Sequence, residues 1–82
     1  MMGSVATVFK VYIESGKEGD VSKEIREKLK PKNMQVEDVA FGIKVAKVLF
    51  VHEDTEGSSS FEERLRKISG VNEVEVDDET LL

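Results

Sequence analysis

Near the start of the chain Val5, Thr7, Phe9, Val11 and Ile13 alternate with Ala6, Val8, Lys10 and Tyr12. A side-chain period of two belongs to a strand lying on a sheet, and it turns Phe9, Val11 and Ile13 toward a core. Ser15 to Gly19 reads as a loop. Asp20 suits a helix N-cap, and Val21, Ile25 and Leu29 then recur every four residues as one apolar helical stripe. Pro31 stops that helix, because the residue before a proline avoids the helical region. Met34, Val36 and Asp38 fall on one side of a short second strand. Phe41-Gly42 interrupts it, and a glycine there tolerates the positive φ of a turn or bulge. Ile43 to His52, IKVAKVLFVH, is the most strand-like stretch. Its Ala46, Val48 and Phe50 face the helices, while Val45, Lys47, Leu49 and Val51 face the other way. Glu53 to Gly57 is an acidic loop. Ser59 with Glu62, and Ser60 with Glu63, each match a capping box. Phe61, Leu65 and Ile68 follow at helical spacing, and Gly70 suits the residue that closes such a helix. Val71, Val74 and Val76 form a last strand, with Asp77 to Leu82 as an exposed tail.

The order βαββαβ has one familiar compact solution. It is an α+β, ferredoxin-like fold: a four-stranded antiparallel sheet, order 4-1-3-2, with both helices on one face. Each βα crossover is expected to be right-handed. Two consequences follow. Phe41 lies at the end of the sheet where the first strand finishes, and the last residues lie at the opposite end. The two sites are placed to touch different parts of a large partner. The 82 residues make a single domain, 1–82, with a thin core.

Charge and composition narrow the chemistry. The chain carries 12 basic and 17 acidic residues, a net charge of −5, which disfavours nonspecific binding to phosphate backbones. It has no cysteine, so disulfides, thiolate metal sites and thiol nucleophiles are excluded. No apolar run approaches the ~20 residues of a membrane span. No charged-then-apolar leader opens the chain, and the expected location is cytoplasmic. His52 is the only histidine; at a strand end it reads as solvated, and one histidine without cysteine makes a zinc site improbable. The cluster Glu53, Asp54, Glu56 lacks the spacing of a calcium loop and reads as a solvated turn. Neither GxxxxGK[ST] nor GxGxxG occurs, so the chain is not expected to bind a nucleotide itself. No serine–histidine–acid arrangement is recognisable; no cofactor, metal or catalytic residue is expected, and the protein reads as not an enzyme.

The fold often supports RNA binding, through aromatics on the third strand. Here that strand offers only Phe50, directed inward. The open face instead carries Val8, Tyr12, Val45, Leu49 and Val51, flanked by Lys10 and Lys47. Such an apolar patch suits protein contact, with no direct nucleic acid and no membrane. One functional class left open is therefore a ligand-sensing or oligomerisation module that binds protein through this face. An acylphosphatase-like enzyme ranks low, because the loop Ser15 to Gly19 lacks an arginine.

A resemblance favours a different class. The string VAFGIKVAKVLFVHED, from Val39 to Asp54, resembles the centre of the elongation factor 1-beta exchange domain: an apolar residue, alanine or glycine, an aromatic, glycine, then isoleucine or leucine, a long apolar strand and an acidic turn. The opening VATVFKVYIES and the run FEERLRKISGVNEVEV are similar to the first strand and to the second helix with the last strand. The likeness covers Val5 to Val76 and points to the archaeal members, which are stand-alone domains of about this size. It implies a guanine-nucleotide exchange factor whose partner is the GTPase elongation factor 1-alpha, acting as a monomer or weak homodimer. Phe41 and Gly42 match a family contact with the GTPase, with Lys44 adjacent. At the other end, eukaryotic members carry a lysine just before the last residue, which reaches into the magnesium site. The corresponding residue here is Leu81, followed by Leu82. Another residue substitutes, the alignment slips, or exchange relies on reshaping the GTPase.

Overall fold

The computed structural model describes residues 3–40, 42–53 and 58–82. The elements run β1 (Ser4–Ile13), α1 (Glu18–Glu24) continuing as a wide turn (Ile25–Leu29), β2 (Asn33–Ala40), β3 (Ile43–Glu53), α2 (Ser58–Arg66) and β4 (Val71–Leu81). The sheet has four antiparallel strands in the order β2-β3-β1-β4, as the pattern predicts. β1 is central. Its alternation puts Phe9, Val11 and Ile13 on the helix face, all fully buried. In-register partners on β3 are Phe50 across from Thr7, Val48 across from Phe9 and Ala46 across from Val11. Val21 and Ile25 from the first helix, and Leu65 and Ile68 from the second, close the same core. Both helices therefore cover one face. Each large buried side chain contributes ~1.5–3 kcal/mol by leaving water, so these few residues carry most of the fold.

The first helix departs from the expectation at both ends. Asp20 is not its N-cap. The first helical bond runs from Val21 N–H to Lys17 O at 2.9 Å, so the helix starts at Glu18 after Lys17, without a side-chain cap. Glu18 and Asp20 instead sit in the first turn, where carboxylates complement the helix dipole. The last turn widens: Lys30 N–H reaches Ile25 O at 3.1 Å, five residues back. Residues four apart on an α-helix drift round the axis by about 40° per step, and a wider turn drifts the opposite way. The widening thus keeps Leu29 packed against the core with Val21 and Ile25. Lys30 then takes φ 47°, ψ 63°, and Pro31 ends the helix as predicted.

The second helix runs from Ser58, so Ser59 and Ser60 fall within its first turn and not before it. A helix begun this early carries Phe61 within a full turn and stacks its ring on Phe50, 4.6 Å between centroids. It also ends early, at Arg66, whose guanidinium donates to Val74 O at 2.9 Å and ties the helix end to β4. Ile68 stays buried beyond the helix, and Gly70 closes the following turn instead of the helix itself. Gly70 has φ +99°, and a Cβ there would lie 2.9 Å from Val21 Cγ2. Its carbonyl accepts from Glu14 N–H at 2.8 Å, so β1, α1 and the turn before β4 meet at this glycine.

Two further readings are corrected. Asp77 to Leu82 is exposed in its side chains, yet its backbone is strand through Leu81, because β1 begins at Ser4 and its outer edge needs a partner. His52 is not solvated: it is 7% exposed. It shares the parity of Ala46, Val48 and Phe50 and so points under the helices. Its Nε2 lies 2.9 Å from the buried Thr7 hydroxyl, and its Nδ1 donates to Glu53 O at 3.0 Å. Asp54 and Glu56, read as part of an acidic turn, lie outside the described residues.

Candidate partner-binding site

One tip of the sheet is built by the β2–β3 connection. Ala40 and Ile43 are paired, with positions 41 and 42 between them in the chain. Gly42 adopts φ +79°, while a Cβ there would meet only Ser15 Oγ at 3.5 Å. Backbone conformation, not space, therefore selects glycine. Phe41 itself lies outside the described residues. A register shift between Asp38 and Ala40 adds a bulge beside the corner. Val39 and Ile43 are turned outward there, 59% and 42% exposed. Lys44, one residue further, is paired with Asp38 at 2.6 Å. That hydrogen bond, with the Asp38 charge behind it, raises the lysine pKa above its ordinary value. The sequence leaves a turn or a bulge open at Phe41-Gly42; the bulge lies further back, between Asp38 and Ala40. The exposure of Val39 and Ile43 was not legible, because strand periodicity cannot tell an inward valine from one displaced by a bulge.

The other tip holds the end of β4. Leu81 is paired with Val5, and Leu82 N–H donates to Ser4 O at 2.8 Å. Both leucines stand out from the sheet, 77% and 70% exposed. Behind them the Thr7 hydroxyl lies 3.3 Å from Glu79 Oε2, beside His52. Lys44 is level with Ile13 and Leu81 with Val5, eight residues apart on β1, so the tips are about 26 Å apart. The structure thus places Gly42 and Lys44 together, and Leu81 and Leu82 together, at opposite ends of one rigid strand.

The open face is less apolar than its own two central strands suggest. Val8, Leu49 and Val51 lie on it, but Val45 is buried at 4%, set in register between Tyr12 and Glu37. The β4 edge adds carboxylates: Asp77 pairs with Lys10 at 3.5 Å, and Tyr12 donates to Glu75 at 3.2 Å. Partial removal from water, then the nearby Glu75 charge, raises the tyrosine pKa. Among the described residues no three histidine or acidic side chains gather to hold a metal, and no helix is long and apolar enough to cross a membrane.

Comparison with known proteins gives this geometry its context. Residues 7–81 match the family model for the EF-1 guanine nucleotide exchange domain. The chain belongs to this exchange-domain family. It is also 40% identical, over 93% of each chain, to elongation factor 1-beta of the archaeon Aeropyrum pernix. The exchange domain therefore acts in guanine-nucleotide exchange during translation elongation. Gly42 and the β4 end lie at opposite ends of the sheet.

Proposed function

We propose that this domain grips elongation factor 1-alpha at two separated points and drives GDP out of it. The observation that carries the reading is the pair of exposed tips, about 26 Å apart on one strand, in a chain of the exchange-domain family. Phe41 anchors one end, with Val39 and Ile43 as its apolar collar and Lys44 alongside. Leu81 and Leu82 act at the other. No covalent chemistry is needed. A factor that binds the nucleotide-free GTPase more tightly than the GDP-bound form must, by reciprocity, weaken GDP binding by the same factor. The leucines bring no cation to a magnesium site, so the β4 end acts by apolar insertion that reshapes the nucleotide pocket. Lys44 is already engaged by Asp38 and serves to brace the corner.

Release of labelled GDP from the cognate elongation factor 1-alpha tests this directly. The domain is expected to accelerate release. Phe41→Ala is expected to weaken the complex by about 2 kcal/mol, roughly thirtyfold in affinity. Deleting Leu81 and Leu82 is expected to lower the exchange rate while leaving that affinity largely intact. Unchanged GDP release with the intact domain would refute the reading.

A further inference from the structure

We propose that the cleft between the wide turn after α1 and helix α2 docks an acidic, apolar-centred peptide segment of a partner protein. It is a contact surface separate from both tips. The cleft encloses about 490 Å³. Its floor is apolar, from Leu29 and Ile68, and its rim carries Lys28, Arg64 and Lys67 with one carboxylate, Glu24, and Ser69. Lys28 is engaged by Glu24 at 3.0 Å. Arg64 lies over the Phe61 ring at 5.9 Å, and neither Arg64 nor Lys67 has a carboxylate within ion-pair distance among the described residues. A second cleft, of about 410 Å³, holds Arg26, Lys30 and Lys32.

These cations belong to a wider charge pattern. Eight of the 12 basic residues fall between Lys23 and Lys32 or between Arg64 and Lys67, and six of the 17 acidic ones, Glu18, Asp20, Glu24, Glu27, Glu62 and Glu63, lie on the same helical elements. The five carboxylates after Lys67, all on β4, equal the net charge of −5. Glu73, Glu75 and Asp78 are in register with open-face residues of β1 and so point away from the helices. With the sheet between and a screening length of ~8 Å, an acidic group reaching the cleft meets three cations and one carboxylate, Glu24, which Lys28 already engages. The occupant's chemistry follows from floor and rim together. Carboxylates satisfy Arg64 and Lys67, and an apolar side chain covers Leu29 and Ile68. A phosphate backbone satisfies the rim alone and brings a dense charge toward an acidic domain.

The test titrates the isotope-labelled domain with the capped hexapeptide Glu-Glu-Leu-Leu-Glu-Glu and follows backbone amides by NMR. Saturable shifts confined to Lys28, Leu29, Arg64, Lys67, Ile68 and Ser69 are expected, weakening as salt is raised. The capped Lys-Lys-Leu-Leu-Lys-Lys peptide is expected to leave these amides unmoved. Arg64→Glu with Lys67→Glu is expected to weaken binding about tenfold or more, with the circular dichroism spectrum unchanged. Should charge reversal disturb the fold, Arg64→Gln with Lys67→Gln is expected to weaken it about threefold. Absent or scattered shifts, or undiminished binding by the folded double variants, would overturn the proposal. So would tighter binding of a uridine hexanucleotide at the same amides, which would assign the cleft to phosphate.

Discussion

Thr7 shows how a single polar residue can be both core and connector. Its hydroxyl has one hydrogen and two neighbours, His52 Nε2 at 2.9 Å and Glu79 Oε2 at 3.3 Å, so it joins β3 and β4 through β1. Thr7→Val keeps the shape and removes the hydroxyl, leaving a buried imidazole nitrogen without its partner. Urea denaturation is expected to show a loss of about 1–3 kcal/mol. Gly70→Ala meets two obstacles at once, the positive φ and the 2.9 Å approach to Val21. The same measurement is expected to show about 1–3 kcal/mol of destabilisation. For Lys44 the sign of the pH effect is fixed by its raised pKa. The Asp38 pair contributes fully below the ordinary lysine value of 10.5 and is lost as pH rises through the raised one. In Asp38→Asn, NMR titration is expected to return the lysine toward 10.5. Of these residues, Thr7 was readable as inward from its alternation. His52 shares the parity of Phe50, but a histidine at a strand end is usually wet, so the pattern alone does not bury it.

Among the elements, β1 and β3 were the most legible, because a central strand buries one whole face and its alternation is strict. Phe9 is the centre of that face, fully buried and edge-on to Phe50 at 5.9 Å. Phe9→Ala is expected to cost about 3–5 kcal/mol, most of the stability of a domain this small, and thermal melts would show a population unfolded near room temperature. The helices were legible as stripes and less so as boundaries. A stripe of Val21, Ile25 and Leu29 is compatible with a regular or a widened last turn, and only the packing of Leu29 selects the wider one. The extent of β4 was the least legible. Val71, Val74 and Val76 mark its start, but Asp77, Asp78 and Glu79 look like a solvated tail. They are strand because β1 offers its edge, not because their own propensity demands it.

For the whole molecule, charge is distributed as unevenly as shape. The edge strand β4 gathers Glu73, Glu75, Asp77, Asp78 and Glu79, while both helix ends gather lysine and arginine. Like charges along a sheet edge discourage pairing with another edge. Neutralising Glu73, Glu75 and Asp78 to the amides is expected to raise the melting temperature at low salt and to promote edge-to-edge association. Light scattering against concentration would detect that association, and unchanged behaviour would remove β4 charge as the barrier. The acidic β4 edge and the cationic cleft on the helix side are thus distinct surfaces of the domain.

What the sequence by itself determined was the periodicity of each element, their order, and hence the sheet and the opposition of the two tips. Those are local properties: a period of two or of four, a glycine that must turn, a proline that must stop. The string around Phe41-Gly42 carried the family resemblance as well, because its residues are adjacent in the chain. Only the tertiary structure decided that Val39 and Ile43 flank that corner in solvent, that His52 is held under the helices, and that Lys28, Arg64 and Lys67 share one cleft. Each joins residues distant in sequence or depends on a bulge, and no pattern along a single chain encodes the distance between two helices.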